Sequence, residues 1–418
     1  MLRVTTERRM TGESAGPIHS GRSAGGLRAS LPLGDGGRVR APPPNSGLIR
    51  LLYAASEHDA DILYPTGFFA PDPFLCLIEG SRTILVMSDL EMDRAKRESK
   101  ATHVWSWTQM AKRAGVGAPP PRAEHVIAAC LKRLGAKSAE VPGSFPLGLA
   151  RKLEALNVKL RVAREPFWPE REIKTRDEVK KIENSLRAAE AGLLAGIEAL
   201  RSTTIGRDGW LRLGGSKFTS EDLRSVVDTT ILKLGGIPVR TICAGGDQAV
   251  DPHETGHGPL RAHSPIVMDI FPRSQSTGYF GDLTRTVVRG RASEKLKEVY
   301  ALVEEGVSLG HRSIREGADG RKIHADILAL FDARGFKTGM KNGRMQGFFH
   351  GTGHGLGLEI HEAPSISKRG TRLRAGHVVT VEPGLYYLGI GGVRIEDVAL
   401  VTRTGSRNLT RVPRFLEI

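Results

Sequence analysis

Four carboxylates set in otherwise apolar strands constrain this chain more than any other feature. Asp269 lies in Ile266-Val267-Met268-Asp269-Ile270, and Asp282 lies in Gly281-Asp282-Leu283-Thr284-Arg285-Thr286-Val287-Val288. Glu382 follows Val378-Val379-Thr380-Val381, and Glu396 lies in Gly391-Gly392-Val393-Arg394-Ile395-Glu396-Asp397-Val398. A turn-rich stretch over 272–278 joins the first pair and a glycine-rich turn joins the second, so the pattern predicts two hairpins. A carboxylate among Val and Ile is costly to desolvate unless compensated. Like charges in one site also raise each other's pKa. Compensation comes either from nearby cations, for which Arg285 and Arg394 are at hand, or from metal ions. One such acid fits an ion pair; four in matched hairpins favour metal.

The segment His350-Gly351-Thr352-Gly353-His354-Gly355-Leu356-Gly357-Leu358-Glu359-Ile360-His361-Glu362 points the same way. The spacing of His350 and His354 matches a helical zinc-protease pair, but that pattern needs a helix and an internal Glu. Glycines at 351, 353, 355 and 357 make a helix unfavourable and allow close backbone approach to a site instead.

At 418 residues the chain has room for two domains of about 100–200 residues. Its 39% hydrophobic and 26% charged residues describe a folded chain, and no run approaches the ~18 apolar residues of a membrane helix. The net charge of +15 is spread out, with no run of five or six basic residues, so it reads as solvated surface without a specific nucleic-acid partner. Three scattered cysteines, Cys76, Cys130 and Cys243, fit reduced thiols and a cytoplasmic location.

Residues 1–45, rich in Gly, Pro, Ser and Arg, read as a disordered basic extension or an over-long start ahead of Met10. No apolar stretch follows Arg8-Arg9, so an export signal is not expected. Over 46–165 strand and helix patterns alternate, which predicts an α/β domain. Ala60–Tyr64 and Arg82–Met87 read as strands, and a polar helix capped by Ser88 or Asp89 runs to Glu98. Residues 164–170, with Pro166 and Pro169, read as a linker. Val179, Ile182, Leu186, Ala189, Leu193, Ile197 and Leu200 predict a long helix. Leu296, Val299, Val303 and Val307 predict a second, and Ile323, Ile327 and Leu330 a third. With extended segments between them, the larger domain reads as α+β.

Jointly, these segments resemble the M24 metallopeptidases, the pita-bread group that includes methionine aminopeptidase, prolidase and aminopeptidase P. The resemblance covers residues 172–418. It rests on Ile173-Lys174-Thr175, Asp-Leu-Thr-Arg-Thr at 282–286, His-Gly-Thr-Gly-His-Gly-Leu-Gly at 350–357, Val-Glu-Pro-Gly at 381–384 and Val-Arg-Ile-Glu-Asp at 393–397. Residues 45–165 resemble the creatinase-type N-terminal domain, through Tyr64-Pro65-Thr66-Gly67-Phe68 and Asp89-Leu90-Glu91 to Arg94-Ala95. The implied fold is α+β, a pita-bread catalytic domain over 170–418 preceded by the smaller α/β domain over 46–165.

The resemblance implies two divalent metal ions held by Asp269, Asp282, His354, Glu382 and Glu396, with Asp282 and Glu396 bridging. Four carboxylates and an imidazole suit manganese first, then cobalt, iron or zinc. By the same resemblance Glu382 is the general base, and His253, with His257 second, steadies the substrate. His361 polarises the scissile carbonyl, while His350 and Arg394 assist at the proline end or a C-terminal carboxylate. Tyr279 reads as a packing residue. Asp269 and Asp282 are thirteen apart where the family usually shows eleven, which implies a longer hairpin tip beside an intact site. The implied activity is that of an exopeptidase cutting the bond before proline, an Xaa-Pro dipeptidase or aminopeptidase, on peptides with proline second. A homodimer is implied as well. Two alternatives are a creatinase-like C–N hydrolase without metal and a non-catalytic peptide-binding or protein-binding module. Such relatives usually lose metal ligands, and here all five residue types remain.

Overall fold

A computed structural model describes residues 48–115 and 122–418; the extension expected over 1–45 lies outside the described residues. Apolar and β-branched runs form β1 (Ile49–Ala54), β2 (Phe74–Glu79), β3 (Arg82–Met87), β4 (His103–Ser106), β5 (Ser138–Val141) and β6 (Lys159–Val162). They make one mixed sheet in the order β4-β3-β2-β1-β5-β6. Helices α1 (Ala60–Thr66), α2 (Met92–Glu98), α3 (Trp107–Arg113), α4 (Ala123–Arg133) and α5 (Leu147–Ala155) alternate with the strands.

Three expectations for this region are corrected. Ala60–Tyr64 is helical, not extended, because the Asp59 side chain accepts the N–H of Ile62 and Gly67, at φ 57°, closes the C-terminus. Neither Ser88 nor Asp89 caps the next helix, which starts at Met92; Asp89 accepts from the Ser106 hydroxyl at 2.7 Å instead. Residues 164–170 are not a free linker. Phe167 and Trp168 are buried, the Trp168 indole donates to the Asp61 carbonyl at 2.8 Å, and the Arg50 guanidinium lies 4.6 Å from the Trp168 ring centroid. Aromatic area outweighs the two prolines here.

The long helix is α6 (Arg176–Arg201), opened by a reciprocal cap between Thr175 and Glu178. Helix α7 (Ser220–Lys233), which the sequence reading missed, carries its own reciprocal cap, Thr219 with Asp222, and buries Leu223, Val227 and Ile231. Gly196 lets α7 approach α6: a Cβ there would stand 3.0 Å from a Val227 methyl. The two further helices appear as α8 (Glu294–Ser313) and α9 (Gly320–Ala333).

Short strands β7 (Thr204–Ile205), β8 (Leu211–Leu213) and β9 (Ser216–Lys217) form a small sheet, and β10 (Gly236–Ile237) pairs with β13 (Arg273–Ser274). Strands β11 (Ile242–Gly245), β12 (Pro265–Ile270) and β14 (Leu283–Val288) form an antiparallel sheet. The hairpin β15 (Gly339–Lys341) and β16 (Arg344–Gln346) precedes a five-stranded sheet ordered β18-β17-β19-β22-β23. Its members are β17 (Gly353–Gly355), β18 (Glu362–Ile366), β19 (Val378–Val381), β22 (Asp397–Val401) and β23 (Ser406–Asn408); β20 (Gly384–Tyr387) pairs with β21 (Gly391–Arg394). Successive residues on these strands enter different cores. Val378 and Val398 join the core of α6 and α7, whereas Val379 and Ala399 join that of α8 and α9. The strands that carry the carboxylates therefore run between two helix-backed cores. The described residues form one compact unit.

Candidate metal centre

All four carboxylates and the glycine-flanked histidines line one cavity of about 590 Å³. The first hairpin forms as expected, with Asp269 opposite Thr284 across β12 and β14. Asp282 enters just ahead of β14. Gly281 before it has no room for a side chain, since a Cβ would lie 2.4 Å from the Leu186 nitrogen on α6. The longer tip turns away from the cavity: Gly278 faces Leu63 and Phe69, and Arg273 donates to the Glu57 carbonyl.

The second hairpin differs from the single ladder expected. Pairing of β19 with β22 ends at Val381–Asp397, and pairing of β20 with β21 starts at Gly384–Arg394. Pro383 has no N–H to offer, and the ladder breaks there. The glutamates at the break bond elsewhere: Glu382 N donates to the Thr352 carbonyl at 2.7 Å and Glu396 N to the Thr284 carbonyl at 3.0 Å. The break thereby ties three site-bearing segments together. His354 arrives on the extended β17, as the glycines implied, and a Cβ on Gly353 would lie 1.9 Å from the Thr380 carbonyl oxygen.

Asp282, His354 and Glu396 each offer a ligand atom within 4.8 Å of the others. His354 Nε2 lies 3.3 Å from Glu382 and 3.7 Å from Asp282. Burial alone would lower the His354 pKa, but the Glu382 hydrogen bond and charge, with Asp282, raise it to about 9. Burial and then Asp269 push Asp282 well above its ordinary value; burial and then Asp282 and Glu382 do the same to Glu396. Burial would raise Glu382 too, yet His354 holds it below the usual carboxylate range.

Pairing with arginine accounts for one acid in four. Arg394 donates to Asp269 Oδ2 at 2.6 Å and to the Tyr386 hydroxyl at 2.8 Å. Arg285 bonds Asp397 at 2.8 Å, outside the four. Asp269 Oδ1 and Glu396 Oε1 stay buried with no partner among the described residues. Orphaned carboxylate oxygens in a hard, oxygen-rich set are what a divalent cation would satisfy, so the residues fit the metal.

The other expected residues divide. His253 lines the cavity, its turn held by an Arg394 bond to the Pro252 carbonyl at 3.3 Å; His257 does not line it and is exposed beside Glu254. His361 lines the cavity with its ring edge-on to His354, centroids 4.3 Å apart. Burial drives the His350 pKa down to about 4, so its ring is neutral. His350 Nδ1 meets the Gly351 carbonyl at 2.8 Å and must carry the proton, so Nε2, 2.8 Å from Tyr386, accepts that hydroxyl's hydrogen. Tyr279 packs, donating to Glu178 at 2.7 Å.

The sequence reading missed Tyr386, Thr284 and Thr380. Thr284 donates to Glu396 Oε2 at 2.8 Å, and the Thr380 hydroxyl bonds both Glu382 (3.3 Å) and the His354 N–H (3.1 Å). The signal for both threonines was their place two residues from Asp282 and Glu382, on the same strand face. Nothing in the sequence distinguished Tyr386 from Tyr387.

A family model described as metallopeptidase family M24 matches residues 180–403, more than half of the chain. An Xaa-Pro dipeptidase of Pyrococcus horikoshii is 29% identical over 347 residues, 81% of this chain and 87% of its own length. A solved prolidase from Pyrococcus horikoshii superposes with a TM-score of 0.72 at 28% identity, over 89% of this chain and 96% of that one. An X-Pro aminopeptidase structure from Thermotoga maritima gives 0.75 at 23% identity, over 89% and 97%, a likeness of fold alone. On the extent of that match, with the cavity's residues to support it, the chain belongs to metallopeptidase family M24 and has its pita-bread fold.

Proposed function

We propose that this metallopeptidase is an exopeptidase that hydrolyses the bond before proline, as an Xaa-Pro dipeptidase or Xaa-Pro aminopeptidase. Two divalent cations would be held by Asp269, Asp282, His354, Glu382 and Glu396, manganese being first choice for this donor set. When bound, such a pair acidifies an attacking water and draws charge from the scissile carbonyl. The observation that carries the reading is the convergence of the four acids and His354 on one cavity, with Asp269 Oδ1 and Glu396 Oε1 unpartnered.

Each residue's chemistry then follows from its surroundings. Glu382 takes the proton of the attacking water and returns it to the proline nitrogen as that nitrogen leaves. His361 donates to the carbonyl oxygen as negative charge gathers there. His253 steadies the peptide, and His350 and Arg394, joined through Tyr386, meet the proline end or a C-terminal carboxylate. The reading keeps residues 46–165 as a creatinase-like N-terminal domain and 170–418 as the catalytic domain, in a homodimer. A cytoplasmic location agrees with three buried, free cysteines; among the described residues no helix is long and apolar enough to cross a membrane.

The test sets a Gly-Pro dipeptide beside a longer Xaa-Pro-Xaa peptide, with enzyme stripped by chelator and refilled with manganese. Restored cleavage of the dipeptide alone identifies a dipeptidase; cleavage of the longer peptide identifies an aminopeptidase. Failure on both by metal-loaded enzyme contradicts the proline specificity.

A further inference from the structure

Behind the cavity wall, a cluster of charges links α1 of the N-terminal sheet to the turn that carries His361. Arg171 is its hub. Nη1 donates to Asp61 Oδ1 at 2.9 Å, and Nη2 donates to Glu359 at 2.8 Å and Glu362 at 3.0 Å. Lys174, its side chain 2% exposed, lies 2.5 Å from the other Glu362 oxygen. Glu362 in turn closes the turn from within. Its carboxylate faces the Glu359 N–H at 3.4 Å, and Gly357 N donates to the Glu359 carbonyl at 3.1 Å. Gly357 leaves space for this, since a Cβ there would stand 2.5 Å from Glu362 Oε1. Ile360 and His361, between the two glutamates, both line the cavity. Among the described residues the His361 ring has no hydrogen-bond partner, and it stands edge-on to the His354 ring. Its place is therefore set by the turn, and the turn by Glu362.

We infer that Arg171 is a positioning residue for His361, acting through Glu362, and that its bond to Asp61 makes α1 part of the same support. This rests on His361 as the donor to the carbonyl oxygen. Three carboxylates face Arg171, and without it Lys174 is left to balance them alone. Mutual repulsion then opens the turn and swings the imidazole away from the reacting carbonyl. A group displaced by about 1 Å can cost on the order of a hundredfold in rate.

The test uses the full, metal-loaded chain and separates kcat from KM on an Xaa-Pro peptide. Arg171→Met should lower kcat about ten- to a hundredfold with KM within about twofold and metal content unchanged. Arg171→Lys, which keeps the charge but not the fork, should recover part of the loss. Asp61→Asn leaves both glutamate contacts in place and should give a smaller loss of the same sign; it decides the matter if Arg171→Met does not fold. The His361 imidazole NMR signal, recorded with diamagnetic zinc in place of manganese and assigned by its disappearance in His361→Ala, should move in Arg171→Met and Asp61→Asn whether or not peptide is cut. A moved signal in the variants, with a metal-loaded wild type that cleaves no Xaa-Pro peptide, overturns the proposed function and leaves the positioning role standing. An unmoved signal with unchanged kcat in folded Arg171→Met overturns the positioning role, as does a rise in KM alone.

Discussion

Arg285→Met removes the guanidinium that braces the site from behind. Arg285 is 1% exposed and donates to the carbonyls of Thr284 (2.9 Å), Glu396 (2.6 Å), Val412 (2.8 Å) and Pro413 (3.3 Å), as well as to Asp397 (2.8 Å). Methionine fills much of the volume but offers no donor. Each buried acceptor left bare costs about 1–3 kcal/mol, and these losses are not additive. Breaking a buried charge pair by removing one partner costs about 3–5 kcal/mol. Asp397 keeps Arg414 at 2.5 Å and Asn408 at 3.0 Å, which argues for the middle of that span. We expect a loss of about 4 kcal/mol against a total stability on the order of 5–15 kcal/mol. The assay is urea unfolding with chelator present, followed by two probes whose transitions must coincide. The midpoint should fall with little change in slope. Arg285→Lys should recover only part, because an ammonium cannot span the same acceptors. A loss below about 1 kcal/mol for Arg285→Met would refute the bracing role.

Other outcomes follow from the same geometry. Gly353→Ala drives a methyl into the Thr380 carbonyl, so it should cost about 1–3 kcal/mol and reduce metal content by displacing His354; melting and elemental analysis check both. Thr175→Ala removes half of the α6 cap and should cost about 1 kcal/mol in urea without changing metal content. Glu172 sits below its ordinary pKa, first because the His377 imidazole lies 3.7 Å away and then because Arg374 pairs with it at 2.9 Å, with burial opposing. A depressed carboxylate contributes stability above its unfolded pKa of about 4.3 and loses it as pH falls through the folded value. The wild type should therefore exceed Glu172→Gln at pH 7, with the gap closing below about pH 4.

The carboxylates were legible because a charge among Val and Ile contradicts its surroundings, and such contradictions gather at functional sites. The glycines around His354 were legible for a similar reason: only very close packing, here against Thr380, demands them. Helices α6, α8 and α9 followed from apolar spacing. Helix α7 offered the same signal in Leu223, Val227 and Ile231, with Thr219 and Asp222 as its cap, and was overlooked. Helix α1 was misread because its seven residues are too few to show a period, and its cap Asp59 lies just outside the apolar run. The break at Pro383, the work of Tyr386 and the embrace of Glu362 by Arg171 depend on contacts between distant segments, which local pattern does not encode. The bond from Arg394 to Asp269 belongs with these, since it joins residues 125 positions apart.

Elemental analysis after dialysis against manganese tests most directly whether the five residues hold a metal pair. The wild type should retain about two manganese ions per chain, and Glu396→Ala, which removes one of the five proposed ligands, should lose both. A wild-type protein that emerges from dialysis without metal would contradict the centre itself.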